Sequence, residues 1–508
     1  MHKVSPTTPM SAGRAMKASL LLLLLPLAAP FSTPPVRTKP PIAPSMAAAE
    51  PAAESDVLRP ATTSVAGATA LVAGTTIGAG ILALPAKTLE AGFAPSAVVL
   101  VGAWAYMAAS ALLIAEVNVN TLCSLERSSV SIKSMAGETI GDVGANVSSA
   151  AYAFIHYALL IAYMLEGGKL LGELVPALDA STSGVPAAAL FASLGGGSLL
   201  IANERSVDQA NSVLFISCIV AFLLLVGIGA PQIQPVYLAH ALPGAALPAI
   251  PLMVLSFTFH NIVPTICYQL GCDLAKIRTA IIAGSAIPLL MFVSWDAVVL
   301  GAVPFDAAAD AIAAGQVFDP LATLRAEGDS FGQCVRVFSL LAIATSFIGF
   351  CLGLADFYAD LLNLDAGVPQ ASTARAAQRD AAAISATRAA TSAQEDEGTY
   401  AEDVGVERPL PIKAGLYSLV LLPPLAISLY DPSLFFAALD NAGTFGILTL
   451  FGIIPAAMAW SMRYTGDESV PLVPPVVPGG KLTLGAMTGG AVLVIGLEVA
   501  EKFGLLVT

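Results

Sequence analysis

The chain has 508 residues, of which 56% are hydrophobic and only 12% charged, with a formal net charge of −13. Soluble domains carry about 25% charged residues, so the composition excludes an ordinary water-soluble protein, and the acidic balance excludes a nucleic-acid partner, which selects basic patches. The apolar residues come in long blocks near the ~20 residues that cross a bilayer as a helix, not in the short alternating segments of a barrel. The expected class is an all-α polytopic membrane protein held in a lipid bilayer.

The first sixty residues read as a leader. Arg14 and Lys17 precede "ASLLLLLLPLAAP", a basic region followed by an apolar run too short to span, which is the pattern of a signal peptide. From Phe31 to Arg59 the chain is rich in proline, alanine, serine and threonine and has no acid before Glu50. That acid-poor stretch suits a transit peptide. Together the two parts resemble the leader of algae with secondary plastids, which implies a plastid membrane; a plain secretory signal would imply the plasma membrane or another endomembrane.

Eleven apolar segments follow, at about 64–91, 94–122, 147–178, 184–202, 211–230, 247–270, 279–303, 333–363, 412–430, 432–462 and 481–504. The first eight occupy 61–365 and the last three 410–508, with a polar, alanine-rich stretch at 366–409 between them. That stretch has almost no large apolar residues and is expected to be a disordered or regulatory inner loop. With the N-terminus inside, thirteen Lys and Arg fall on inner segments and five on outer ones. Positive charge stays on the side of synthesis, so the N-terminus is expected inside and, with an odd helix count, the C-terminus outside. The tenth segment contains "DNAGTFG", an expected interruption. The six cysteines are scattered without a completing metal set, so they are read as small apolar fillers, and neither a metal nor a cofactor is expected. No HExxH or GxSxG motif suggests an enzyme.

Segment 1 carries "LVAGTTIGAGILALP", residues 71–85, in which glycines and threonines loosen a backbone that must satisfy itself in lipid. Such residues are tolerated at depth where the backbone is buried in protein or lines a wet cavity. An unwound stretch exposes N–H and C=O groups, and the half-helix that follows adds partial positive charge. The chemistry suits a small zwitterion; close helix packing through Gly74 and Gly78 is the plainer alternative. Segment 6, "PLMVLSFTFHNIVPTICYQLG", places His260, Asn261 and Pro264 in mid-helix. In a five-plus-five inverted repeat, segments 1 and 6 occupy corresponding positions, and paired interruptions there point to a transporter site.

At these residues the chain resembles the aromatic amino-acid permeases, the tryptophan- and tyrosine-specific branch of the amino acid–polyamine–organocation superfamily. The matching motifs are "GTTIGAGILALP" (74–85), "EVNVN" (116–120), "FHNIVPTICYQLG" (259–271) with "IRTAIIAG" (277–284), "SFIGFCLGLADFYADLL" (346–362) and, more weakly, "FFAALDNAGTFG" (435–446). Where bacterial members tend to read "HGNVP", this chain has "HNIVP". The resemblance implies an eleven-helix inverted-repeat fold and proton-coupled uptake of tyrosine or tryptophan.

Within that frame Thr75, Thr76, Ile77, Gly78, Ala79 and Gly80 are the expected carboxylate cradle. Ser256, Phe257, Thr258 and Phe259 are expected to supply carbonyls for the ammonium group and an aromatic wall. Thr345 and Ser346 on segment 8 could face the first break, an arrangement that would suit sodium equally well. Ionisable residues at depth are costly and so are functional candidates: Glu116, Asp356, His260 and Glu166 are the candidates for carrying a coupling proton. His156 reads as a satisfied core histidine and Asp360 as interfacial. The residues themselves leave open sodium coupling, a serine- or threonine-type symporter, a transporter-like amino-acid sensor, and the oligomeric state.

Overall fold

A computed structural model describes residues 64–78, 80–125, 130–178, 186–309, 318–326, 330–362, 364, 409–465 and 473–503. The expected leader (1–60), the inner loop up to residue 408, and Ala79 lie outside the described residues. Every regular element among the described residues is helical.

Segment 1 is two helices, α1 (Val65–Thr76) and α2 (Gly80–Thr88), bent by 59° at the intervening residues. Segments 2 to 5 are α3 (Phe93–Leu125), α4 (Ile132–Leu174), α5 (Ala187–Ile201) and α6 (Glu204–Gly229). Segment 6 is again two helices, α7 (Ile250–Ser256) and α8 (Val263–Gln269). Segments 7 to 9 are α9 (Leu274–Ala302), α10 (Ser330–Leu361) and α11 (Leu410–Tyr430). Segment 10 joins α12 (Phe435–Asn441) to α13 (Ile454–Tyr464), and segment 11 is α14 (Gly480–Lys502).

Among the described residues nine helical stretches, segments 6 and 10 each counted as one, are long and apolar enough to span a bilayer, and the bent pair of segment 1 makes a tenth. The eleventh expected segment, α5, is apolar but only 15 residues long. The interruption expected in segment 10 is not a gap. Residues Ala442–Ile453 wind with wide i→i+5 turns and the rod continues through them. Segment 3 begins earlier than its apolar pattern indicates, because a short polar helical stretch precedes Gly141, whose φ of 74° turns the chain into the spanning part.

Local chemistry fixes the ends. Ser64, Ser131 and Asn203 accept from the backbone N–H three residues on, and Asp273 from Ala275 and Lys276, so segments 1, 3, 5 and 7 all start with a side-chain cap. All four starts fall on the expected inner side. Ion pairs obey the same sidedness: Lys87–Asp440 and Arg325–Glu166 join outer groups, and Arg463–Glu116 and Lys276–Asp273 join inner ones.

Segments 3, 6 and 10 are mostly enclosed by other helices, whereas 5, 9 and 11 present most of their surface outward. Segment 7 lies along α1, and "IRTAIIAG" ends in Gly284 at that contact. A Cβ there would stand 2.5 Å from Val72 and 2.7 Å from the Thr69 carbonyl, so only glycine lets the two rods approach this closely. Both broken segments are therefore buried against neighbours, the setting in which unwound backbone survives inside a membrane.

Candidate substrate site

The two interruptions meet. At the end of α1 the hydroxyls of Thr75 and Thr76 donate back to the carbonyls of Leu71 and Val72, at 2.9 and 2.7 Å. Such back-bonding competes with the helix ladder and favours its end. Ile77 leaves the helix with φ −78° and ψ 103°. In segment 6 the N–H groups of Phe257 and Thr258 reach back only three residues, to Val254 and Leu255, and Phe259 lies at φ −137°, ψ 10°, outside helical geometry. Pro264, which has no N–H, then sits in the first turn of α8. Gly80 is the point of contact: a Cβ there would lie 2.7 Å from Ser256 Oγ and 3.1 Å from Ser256 Cα. A Cβ on Gly78 would stand 3.2 Å from Ser346 Oγ on segment 8.

A cavity of about 320 Å³ opens at this junction. Thr75, Thr76, Ile77, Gly78 and Gly80 line it from segment 1, and Ser256 and Thr258 from segment 6. Thr345, Ser346 and Asp356 line it from segment 8. It continues past Ser131 and Lys133 at the start of segment 3 and past Asp360 at the end of segment 8. Those residues lie at the ends expected on the inner side, so with that orientation the cavity opens inward. At the opposite end α2 is fastened to its neighbours. Lys87 pairs with Asp440 at 2.5 Å, and the Trp295 indole N–H donates to the Ile81 carbonyl at 2.8 Å, holding α2 against segment 7.

Not every expected residue reaches the cavity. Phe257 and Phe259 are fully buried and turn away from it; Phe257 packs on Phe292 at 5.2 Å between ring centroids. The aromatic surface comes instead from Tyr152, His156 and Tyr163 on segment 3, Phe215 on segment 5, Phe350 and Phe357 on segment 8 and Phe451 on segment 10. His156, expected as a core residue, is thus a cavity residue. On segment 3 the pattern does carry a signal: Ser149, Tyr152, His156 and Tyr163 recur at helical spacing and form one polar-edged stripe, which is the face turned to the cavity.

Three of the four proton-carrier candidates also lie elsewhere. Glu116 is fully buried and held by Arg463 through a two-pronged contact of 2.6 and 2.5 Å, while the Val476 N–H donates to it at 2.8 Å. Glu166 belongs to an outer cluster in which Arg325, only 3% exposed, bridges Glu166 and Asp319 at 3.2 Å each and Glu173 at 3.4 Å. His260 sits behind the cavity wall, stacked on Phe451 at 4.6 Å, its Nε2 3.1 Å from the Met107 carbonyl. Asp356 alone of the four lines the cavity.

The chain is similar to known transport proteins. Tyrosine-specific transport system 1 of Haemophilus influenzae is 29% identical over 449 residues, covering 87% of this chain and 98% of the relative. The tryptophan-specific transport protein of Pseudomonas aeruginosa is 28% identical over 311 residues, covering 59% of this chain and 73% of the relative. Among solved structures, MhsT in complex with L-phenylalanine aligns over 87% of this chain and 99% of its own, at 16% identity and a TM-score of 0.47. The profile of the tryptophan/tyrosine permease family matches residues 61–497, and the chain belongs to that family.

Proposed function

We propose that the chain moves an aromatic amino acid, tyrosine or tryptophan, across its membrane by alternating access around the junction of segments 1 and 6, coupled to protons. The observation that carries this reading is the convergence of both interruptions, the hydroxyls of segment 8 and a set of aromatic rings on one cavity. Free peptide dipoles at such breaks suit a carboxylate and an ammonium group. Each ring contact to an aromatic substrate is worth about 0.5–1.5 kcal/mol. Asp356 is the proton-carrying residue in this reading, since neutralising a carboxylate removes a charge that is costly to move through the barrier.

The test is flux of labelled tyrosine and tryptophan into proteoliposomes holding purified full-length protein, under an imposed proton gradient or an imposed sodium gradient. Accumulation driven by protons alone is expected. Asp356→Asn is expected to lose that accumulation while still exchanging internal for external substrate. Accumulation driven only by sodium would assign the coupling ion to the hydroxyls of Thr345 and Ser346 instead. Saturable binding without flux would make the chain a sensor.

The leader supports a plastid membrane as the destination in the same reading. Residues 1–60 fused to a fluorescent protein are expected to reach the plastid of an alga with secondary plastids, and retention in the secretory pathway would overturn that assignment.

A further inference from the structure

His156 stands out among the cavity residues by its hydrogen-bonding state. It is 8% exposed, lies between the rings of Tyr152 and Phe350 at 4.0 and 4.8 Å, and lines the cavity. Its Nδ1 is 2.8 Å from the Tyr152 carbonyl four residues back. A carbonyl can only accept, so Nδ1 carries the hydrogen, and in the neutral ring Nε2 is left as an acceptor. Among the described residues nothing hydrogen-bonds to Nε2. It faces Gly353, where a Cβ would stand 3.3 Å from it and 3.2 Å from the Tyr152 hydroxyl. The glycine keeps this edge of the imidazole clear.

The position matches the reach of a side chain anchored at the breaks. Ser346 abuts Gly78, and Phe350 is four residues further along the same helical face, about one turn or ~6 Å of rise towards the expected inner side. His156 packs on that Phe350 ring. A substrate whose carboxylate and ammonium group lie at the junction of segments 1 and 6 would extend its ring along Phe350 and present the ring's far edge to Nε2.

We propose that His156 Nε2 accepts the hydrogen bond of the substrate's ring donor, the phenol O–H of tyrosine or the indole N–H of tryptophan, and thereby selects these two amino acids against phenylalanine. This rests on the transport reading above and deepens it. A pocket acceptor filled by a ring without a donor is left unpaired, and that unpaired acceptor is the source of discrimination.

The experiment is competitive uptake of labelled tyrosine, tryptophan and phenylalanine into proteoliposomes by the full-length protein and its variants. The unsubstituted chain is expected to favour tyrosine and tryptophan over phenylalanine by about tenfold, the scale of one hydrogen bond. In His156→Leu that ratio is expected to fall towards one. His156→Gln, whose amide oxygen can accept, is expected to restore part of it. Gly353→Ala leaves the imidazole intact but places a methyl group against Nε2, and it improves helix propensity. It is expected to lower the ratio as His156→Leu does, and it decides the matter if the leucine variant does not fold. An unchanged ratio in the folded variants, or no preference in the unsubstituted chain, overturns the role of His156 while leaving transport standing. Failure of the unsubstituted chain to move any of the three overturns the transport reading itself.

Discussion

Gly80→Ala is expected to lower aromatic amino-acid uptake about a hundredfold, the scale on which a misplacement of about 1 Å disables a positioned site. The added methyl would lie 2.7 Å from Ser256 Oγ and 3.1 Å from Ser256 Cα. The hydroxyl can rotate, although its own bond to the Leu252 carbonyl at 2.9 Å resists this. The backbone of segment 6 cannot. Relief requires α2 to move away from α7, which widens the junction where both interruptions supply their dipoles. Overpacking of this kind costs about 1–3 kcal/mol, so the protein still folds, and yield and size-exclusion behaviour are expected to stay close to those of the parent. The double variant Gly80→Ala/Ser256→Gly removes the 2.7 Å conflict and is expected to recover uptake in part. Recovery would show that the distance between segments 1 and 6 sets activity; full uptake by the single variant would refute the importance of that contact. Gly78→Val differs in mechanism. Its Cβ meets only the movable Ser346 hydroxyl at 3.2 Å, so it is expected to abolish binding by filling the cavity rather than by displacing a helix.

The contrast between these two glycines also marks what the sequence discloses. The interruption of segment 1 is written locally: threonines that bond back to their own helix and glycines that tolerate close approach lie within a few residues of one another. The same holds for Pro264 after the unwound residues of segment 6. Hydropathy and length place the segments, because lipid imposes these features on each rod separately. What each rod meets is not local. Tyr152, His156 and Tyr163 share one helical face with Ser149, so the stripe itself is legible, but nothing local says that this face meets Phe350 and Phe451 of other segments across a cavity. Phe257 and Phe259 flank the second interruption in sequence, yet the backbone geometry there turns both rings outward from the cavity and into the packing with segment 7 and its neighbours. Gly353 gives no sign in sequence that it shields a histidine edge 197 positions earlier. The partner of Glu116 is 347 residues away, and no spacing rule reaches that far.

That long-range pair carries the second large effect. Arg463→Ala is expected to destabilise the protein by about 3–5 kcal/mol, the range for removing one member of a buried ion pair. Both side chains are nearly inaccessible, at 3% and 0%. Without the guanidinium, the Glu116 carboxylate keeps the Val476 N–H at 2.8 Å but has lost its cation in a membrane interior. Glu116→Ala is expected to cost about as much, leaving the Arg463 guanidinium without its carboxylate, next to the Val477 carbonyl at 3.5 Å and the Tyr464 hydroxyl. The damage extends beyond the pair. Glu116 and Asn120 together hold the backbone of Val476 and Val473, so the connection from segment 10 to segment 11 is tied to the inner end of segment 2 through the "EVNVN" motif. Thermal unfolding in detergent is expected to show a clear drop for each single variant and recovery in Glu116→Gln/Arg463→Met, because a neutral pair of similar volume leaves no buried charge unmatched. The same set decides whether Glu116 carries the coupling proton. A proton carrier replaced by glutamine would leave a stable protein that no longer accumulates substrate under a proton gradient. A structural clasp predicts the reverse: Glu116→Gln loses stability, and the protein that survives still couples uptake to protons. Glu116→Gln with full stability and abolished coupling would return this residue to the transport cycle and displace Asp356 from it.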